Sequence, residues 1–141
     1  MKNKHIIYSL ILAFLGFIVA TYLTILHLKH LIPPCTVTQN CEKVLTSQFA
    51  AIGPIPLALL GSLFYLTIII LCVLLLTNYK KLFLDLYYGF ASLGFIASIT
   101  LFLIQAYILQ AFCQYCLLSE AISIGIIILA YFDFKGRKNN I

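Results

Sequence analysis

The chain has 141 residues, of which 63% are hydrophobic and only 9% charged, and its mean hydropathy is +1.08. A water-soluble domain of this length must cover its surface with polar groups, so the composition excludes one and predicts a single integral membrane domain over residues 1–141. The net charge of +5 does not predict binding to nucleic acid, because the basic residues flank the apolar stretches, as they do beside membrane spans.

The first apolar stretch runs from Ile6 to Leu26. It is close to the roughly 20 residues with which a helix crosses about 30 Å of hydrocarbon. Lys2 and Lys4 resemble the basic start of a secretion signal. However, the stretch is longer than the apolar core of such a signal, and no cleavage site of small residues closes it. We therefore expect a retained membrane span at about 6–26.

The segment from about 29 to 56 is the longest connection between predicted spans and contains Cys35 and Cys41. Its middle, Glu42 to Phe49, mixes charged and apolar residues at helical spacing, which predicts a short helix on the membrane surface. The second span is predicted at about 57–76, directly after a proline, whose ring fits the start of a helix but not its interior.

The last two spans are harder to separate, because no charged residue interrupts the stretch from 86 to 119. One span cannot be that long, so a break is expected near the middle. Three glutamines mark this region: Gln105, Gln110 and Gln114. We place the third span at about 84–103 and the fourth at about 112–132.

The predicted fold is all-α: a four-transmembrane-helix bundle with a long extracytoplasmic loop between helices 1 and 2. Helices are expected because lipid offers no partner for backbone polar groups, and the apolar runs lack the alternation of strands. Four spans place both termini on one side of the cell membrane. That side carries seven of the nine Lys and Arg residues, so we expect it to be cytoplasmic.

Four of the five cysteines then lie on the extracytoplasmic side, where disulfides form and persist. Cys35 and Cys41 belong to the loop, and Cys113 and Cys116 open the fourth helix as a CxxC motif. This spacing puts both sulfur atoms on one helix face, where the positive end of the helix dipole stabilises a thiolate. Cys72 lies alone in the second span and is expected to be a small core or lipid-facing residue.

Several kinds of cysteine site must be weighed against one another. A c-type haem site requires His after the second cysteine of the motif, but Leu117 stands there. A zinc site of four cysteines remains an alternative, although the separation of Cys35 and Cys41 is outside the usual spacing of zinc ligands. Two structural disulfides in a non-catalytic membrane protein are another alternative. Thiol–disulfide exchange is the favoured hypothesis.

The motifs between the cysteine pairs carry a family resemblance. CEKVLTS at 41–47 is followed by GPIPLALLG at 53–61 and by Tyr65. With a loop cysteine pair after helix 1 and a CxxC opening helix 4, essentially the whole chain resembles the bacterial and archaeal homologues of vitamin K epoxide reductase. Membrane disulfide generators of the DsbB type also have four helices, but they carry the CxxC in their first outer loop.

The resemblance implies a quinone-dependent thiol–disulfide oxidoreductase that supports disulfide-bond formation. Cys35 would exchange with a thioredoxin-like, DsbA-type thiol oxidase, secreted or anchored in the membrane, and Cys41 would pass electrons to Cys113. Cys116 would face a membrane quinone, either menaquinone or ubiquinone. No thioredoxin-like domain follows the predicted bundle, so the expected form is stand-alone and its partner a separate protein.

Further candidates for the quinone site come from the resemblance and from the residues beside the CxxC. Ser47 matches a Ser/Thr of the family near the quinone pocket. Glu120, one turn past Cys116, is an ionisable group inside a span and therefore a functional candidate for delivering protons to the reduced quinone. The alternative is a protonated, hydrogen-bonded carboxyl near the pocket or the membrane interface. Phe112 and Tyr115 flank the CxxC and are candidates to line the pocket. No metal ligands are expected if the redox hypothesis holds.

Animal members of the family hold the epoxide with an Asn on helix 2 and a Tyr one turn past the CxxC. The corresponding positions here are Leu57 and Glu120. These departures from the animal pattern argue against reduction of vitamin K epoxide and favour reduction of a plain quinone.

Overall fold

The computed structural model describes residues 4–29, 51–52, 55–109 and 114–139. Its four long helices are α1 (Lys4–Leu28), α2 (Leu57–Thr77), α3 (Lys81–Leu103) and α4 (Gln114–Asn139). A π-helical segment, Ile104–Leu109, continues α3. Two short strands, β1 (Ala51–Ile52) and β2 (Ile55–Pro56), pair antiparallel directly before α2, a feature that was not expected from the sequence.

The predicted bundle of four membrane-spanning helices is confirmed. Each helix is long and apolar enough to cross a bilayer, over Lys4–Leu26, Ala58–Thr77, Lys81–Ile108 and Tyr115–Lys138. The third of these segments includes the π-helical residues, so helical structure continues past residue 103, to Leu109. The predicted surface helix over 42–49 lies outside the described residues.

The helices form a square in which α1 and α3 each pack against α2 and α4. Neighbouring helices are antiparallel, as these contacting pairs indicate: Gly16–Tyr65 and Thr21–Ser62, His5–Phe132 and Tyr22–Tyr115, Tyr88–Asp133 and Gln105–Glu120. The first residues of α1 and the last of α4 therefore lie at the same end, here called the lower end. The end that holds Leu28, Leu57 and Gln114 is called the upper end.

Small residues allow the helices to approach one another closely. On α1 the buried face repeats at helical spacing, through Ser9, Ala13, Gly16 and Ala20. A Cβ atom at Gly16 would lie 2.5 Å from the ring of Tyr65, so the absence of a side chain there is what lets the ring pack against α1. Such close packing holds helices together in lipid, where no hydrophobic force acts between them.

The surface and interior of the bundle reverse the pattern of a soluble protein. Large apolar side chains face outwards on every helix, among them Phe14, Leu63, Ile96 and Tyr131, each more than half exposed. An apolar surface of this extent requires lipid around it. Polar side chains are instead buried between the helices: Ser9, Thr24, Ser62, Ser98, Gln105, Glu120, Ser123 and Asp133.

Candidate functional site

Of the four cysteines predicted to be redox-active, the structure describes Cys116. It lies in the first turn of α4, at the upper end, and is half-buried. The other predicted site residues Cys35, Cys41, Cys113, Ser47 and Phe112 lie outside the described residues, so their roles stay predictions.

A buried carboxyl lies one helical turn from Cys116. Glu120 follows it by four residues on α4, a spacing that puts both side chains on one face of the helix. Glu120 is only 6% exposed. The rise of a helix places it about 9 Å below the start of α4. The sequence-based choice of Glu120 as a candidate therefore falls on a side chain inside the bundle.

The partner of Glu120 comes from the end of α3. The Nε2 atom of Gln105 donates a hydrogen bond to Oε1 of Glu120, at 2.6 Å. Gln105 is itself buried, with 3% exposure, and belongs to the π-helical segment. π-Helical turns inside longer helices occur frequently at functional sites.

A tyrosine on α2 completes the polar groups of this region. The hydroxyl of Tyr65 donates to the backbone carbonyl of Ser119 at 2.7 Å. It also lies 2.9 Å from the hydroxyl oxygen of Ser119 and 3.0 Å from that of Ser123. We call Tyr65, Gln105, Ser119, Glu120 and Ser123 the upper polar cluster. Three helices meet in it, directly below the turn that carries Cys116.

The remaining described candidate, Tyr115, lies next to Cys116 on the outer side of the cluster. Its ring is 5.9 Å from that of Tyr22, centroid to centroid, with a tilt of 54°. Tyr115 is half-buried. This pair of rings links the first turn of α4 to α1 and borders the site on that side.

Cys72 is separate from this site. It is fully buried in the hydrophobic core and carries a free thiol. Cys72 lies fifteen residues below the upper end of α2, whereas Cys116 lies two residues below the upper end of α4. At about 1.5 Å of rise per residue, the two cysteines are about 20 Å apart along the bundle axis. Of the two roles expected for it, core or lipid-facing, the structure shows the core.

A second polar cluster occupies the lower end. Oδ2 of Asp133 accepts hydrogen bonds from the hydroxyl of Tyr88 at 2.7 Å and from Nε of Arg137 at 2.8 Å. The hydroxyls of Ser9 and Tyr87 lie 2.5 Å apart, which links α1 to α3 across the bundle. An apolar layer that includes Ile68 and Ile126 lies between this cluster and the upper one. The lower cluster ties the helix ends together.

Gln105 was missed in the sequence, because the three glutamines were taken to mark the break between two spans, and Ser119 and Ser123 were not singled out either. A signal was present, however. Gln105 is a polar residue among long apolar side chains, and only a few residues separate it from the predicted end of the third span. Inside a membrane such a residue needs a partner.

A match to a known protein family covers most of the chain. The model of the Vitamin K epoxide reductase family matches residues 7–131. The matched range includes all five cysteines and the upper polar cluster. A comparison with curated proteins finds no match.

Proposed function

Since the chain belongs to the vitamin K epoxide reductase family, we propose that it reoxidises a thioredoxin-like thiol oxidase and passes the electrons to a membrane quinone. Family membership makes it a membrane oxidoreductase that works through thiols and disulfides. The position of Cys116 above a buried polar cluster is the observation that supports the finer proposal. A thiol there lies one helical turn from buried hydrogen-bonding groups.

The proposed route has two stages. Cys35 exchanges disulfide for thiols with the partner protein, and Cys41 transfers the electrons to Cys113. Each exchange is the attack of a thiolate on a disulfide sulfur, so the two cysteine pairs must be able to reach each other. Cys113 and Cys116 are then the reduced thiol pair, and Cys116 faces the quinone. A bound quinone, menaquinone or ubiquinone, accepts two electrons and two protons.

The described residues fit a quinone head group at the upper end. Such a head group has two carbonyl oxygens, which accept hydrogen bonds, and an apolar ring and tail. Buried polar groups of the upper polar cluster lie within two turns of Cys116, and Tyr115 offers an aromatic surface beside it. The apolar outer faces of the helices suit the tail. Ser47 and Phe112 remain candidates for the same pocket.

The charges of the helix ends support a cytoplasmic lower end in the cell membrane. Exposed lysines gather there: Lys4, Lys80, Lys81, Lys135 and Lys138. Cytoplasmic flanks of membrane spans carry such an excess of basic residues. In this orientation the cysteine pairs face the extracytoplasmic side, where a secreted or membrane-anchored partner is accessible and disulfides persist.

The test uses purified protein with a quinone and a reduced thioredoxin-like protein. We expect Cys116→Ala to abolish quinone-dependent oxidation of the thioredoxin-like protein, and Cys35→Ala to abolish its exchange with the chain. Cys72→Ala is the matched control and should retain turnover, because Cys72 lies far from the site. Normal turnover in Cys116→Ala would overturn the proposal.

The same preparation separates the alternative functions. Stoichiometric zinc in the purified protein, lost together with Cys116, would favour a four-cysteine metal site. Wild-type protein with intact disulfides and no turnover for any quinone would favour a stapled, non-catalytic protein.

A further inference from the structure

We propose that Gln105 positions the carboxyl of Glu120 as the proton donor to the quinone. This inference rests on the proposed function, since it concerns the protons that accompany the two electrons. Gln105 is a positioning residue, because it orients the carboxyl of Glu120. Glu120 is the residue that touches the quinone.

The position of Glu120 suits proton transfer near the reacting sulfur atoms. It shares a helix face with Cys116 and lies about 6 Å further along the helix axis. A group that gives a proton to a quinone oxygen must come within hydrogen-bonding distance of it. A quinone held against Cys116 brings one of its oxygens towards this part of α4.

Gln105 holds the carboxyl in one orientation. Its Nε2 atom lies 2.6 Å from Oε1 of Glu120 and 3.5 Å from the backbone carbonyl of Leu101. An amide nitrogen donates and does not accept, so it bonds a carboxyl oxygen that carries no proton. The proton of the neutral carboxyl is therefore assigned to Oε2. The amide selects which oxygen of Glu120 acts as the acid.

The amide belongs to the start of the π-helical segment. Gln105 is the second residue of the segment Ile104–Leu109, at the point where α3 changes its helical winding. A π-helical turn holds one more residue than an α-helical turn, so it alters the direction in which side chains project. Both side chains of the pair are buried between α3 and α4. Burial shields their hydrogen bond from competition with water.

The chemistry balances within the proposed reaction. The two thiols of the CxxC lose two electrons and two protons, and a disulfide bond forms between Cys113 and Cys116. Glu120 breaks its O–H bond and gives that proton to one quinone oxygen. It then regains one of the two protons that the thiols release, and the other thiol proton goes to the second quinone oxygen. The net result is a disulfide and a quinol, with Glu120 unchanged.

The first experiment separates the two stages of the reaction. Glu120→Gln keeps the acceptor oxygen but has no proton to give, and it should lower the rate of quinone reduction about 100-fold. Gln105→Leu should lower it about tenfold, the rate equivalent of one hydrogen bond. Ser98→Ala is the control, a buried polar residue two turns earlier on α3, and should leave the rate unchanged. Exchange with the thioredoxin-like protein should be normal in all three variants.

The second experiment distinguishes proton donation from a structural hydrogen bond. The exchanged variant Gln105→Glu/Glu120→Gln rebuilds an amide–carboxyl pair with the carboxyl on α3. It should recover the thermal stability lost in Gln105→Leu while its quinone reduction stays low. Recovery of full quinone reduction would show that the pair is only a structural contact, and would overturn the inference.

A spectroscopic measurement without quinone gives an independent readout. The infrared spectrum of the wild type should contain a carboxylic acid carbonyl band that is missing in Glu120→Gln and shifted in Gln105→Leu. Absence of this shift would contradict the assigned hydrogen bond. If the wild type reduces quinone and Glu120→Gln does so equally fast, only this inference fails. If the wild type reduces no quinone, the proposed function itself fails.

Discussion

Replacement of Gly16 by alanine tests the packing on which the site depends. The new Cβ atom would lie 2.5, 2.6 and 2.8 Å from three ring atoms of Tyr65. Carbon atoms in ordinary contact are about 3.5–4.0 Å apart, so the ring or the helix must move by about 1 Å. The ring cannot move freely, because its hydroxyl is bonded to Ser119 and Ser123 on α4.

The expected cost follows from these contacts. Overpacking of a filled interior costs about 1–3 kcal/mol. A displaced Tyr65 hydroxyl loses at least one hydrogen bond, worth about 1 kcal/mol. Alanine offsets part of this, because its helix propensity exceeds that of glycine by about 1 kcal/mol. We expect Gly16→Ala to lower the free energy of unfolding by about 2 kcal/mol.

The assay is thermal or denaturant unfolding in detergent, followed by the circular dichroism of the helices. Gly89→Ala on α3 is the matched control, because a Cβ atom at Gly89 meets nothing within 4 Å. It should be neutral or slightly stabilising. In the double variant Gly16→Ala/Tyr65→Leu the losses should be less than additive, since the ring that causes the clash is gone. Equal stability of Gly16→Ala and Gly89→Ala would refute the reasoning.

Two further predictions concern the lower end of the bundle. Ser9→Ala and Tyr87→Phe should show a coupling of about 1 kcal/mol in a double-mutant cycle of unfolding, because they remove the same hydrogen bond; additive losses would contradict that bond. Asp133→Asn should cost about 2 kcal/mol, since Arg137 and Tyr88 lose their charged acceptor. Wild-type stability of Asp133→Asn, by the same unfolding assay, would show that the carboxylate is dispensable.

The fold could be predicted from the sequence because insertion of a helix into a membrane depends on the hydropathy summed over that one segment. Each helix carries its own apolar run, and lipid leaves helices as the spanning structure for such runs. Glu120 was recognised for a related reason, since an ionisable residue in a span is costly wherever its neighbours lie. Its proximity to Cys116 also follows from chain spacing alone.

Gln105 shows the limit of such reasoning. A neutral amide among apolar residues is compatible with a loop between spans and with a buried position inside the bundle. Its role depends on the partner across the interface, Glu120, fifteen residues later in the chain. The packing of the end of α3 against α4 decides that this pair meets.

The membrane class, the four helices, the family motifs and the choice of Cys116 and Glu120 as candidates all follow from the sequence alone. These features depend on composition and on residue spacing along one helix, and both can be read from residues close together in the chain. Which polar groups meet inside the bundle is seen in the folded chain: Gln105 with Glu120, Tyr65 with Ser119 and Ser123, and Asp133 with Tyr88. Such pairs join different helices, so the packing of the helices, and not the hydropathy of any one segment, brings them together.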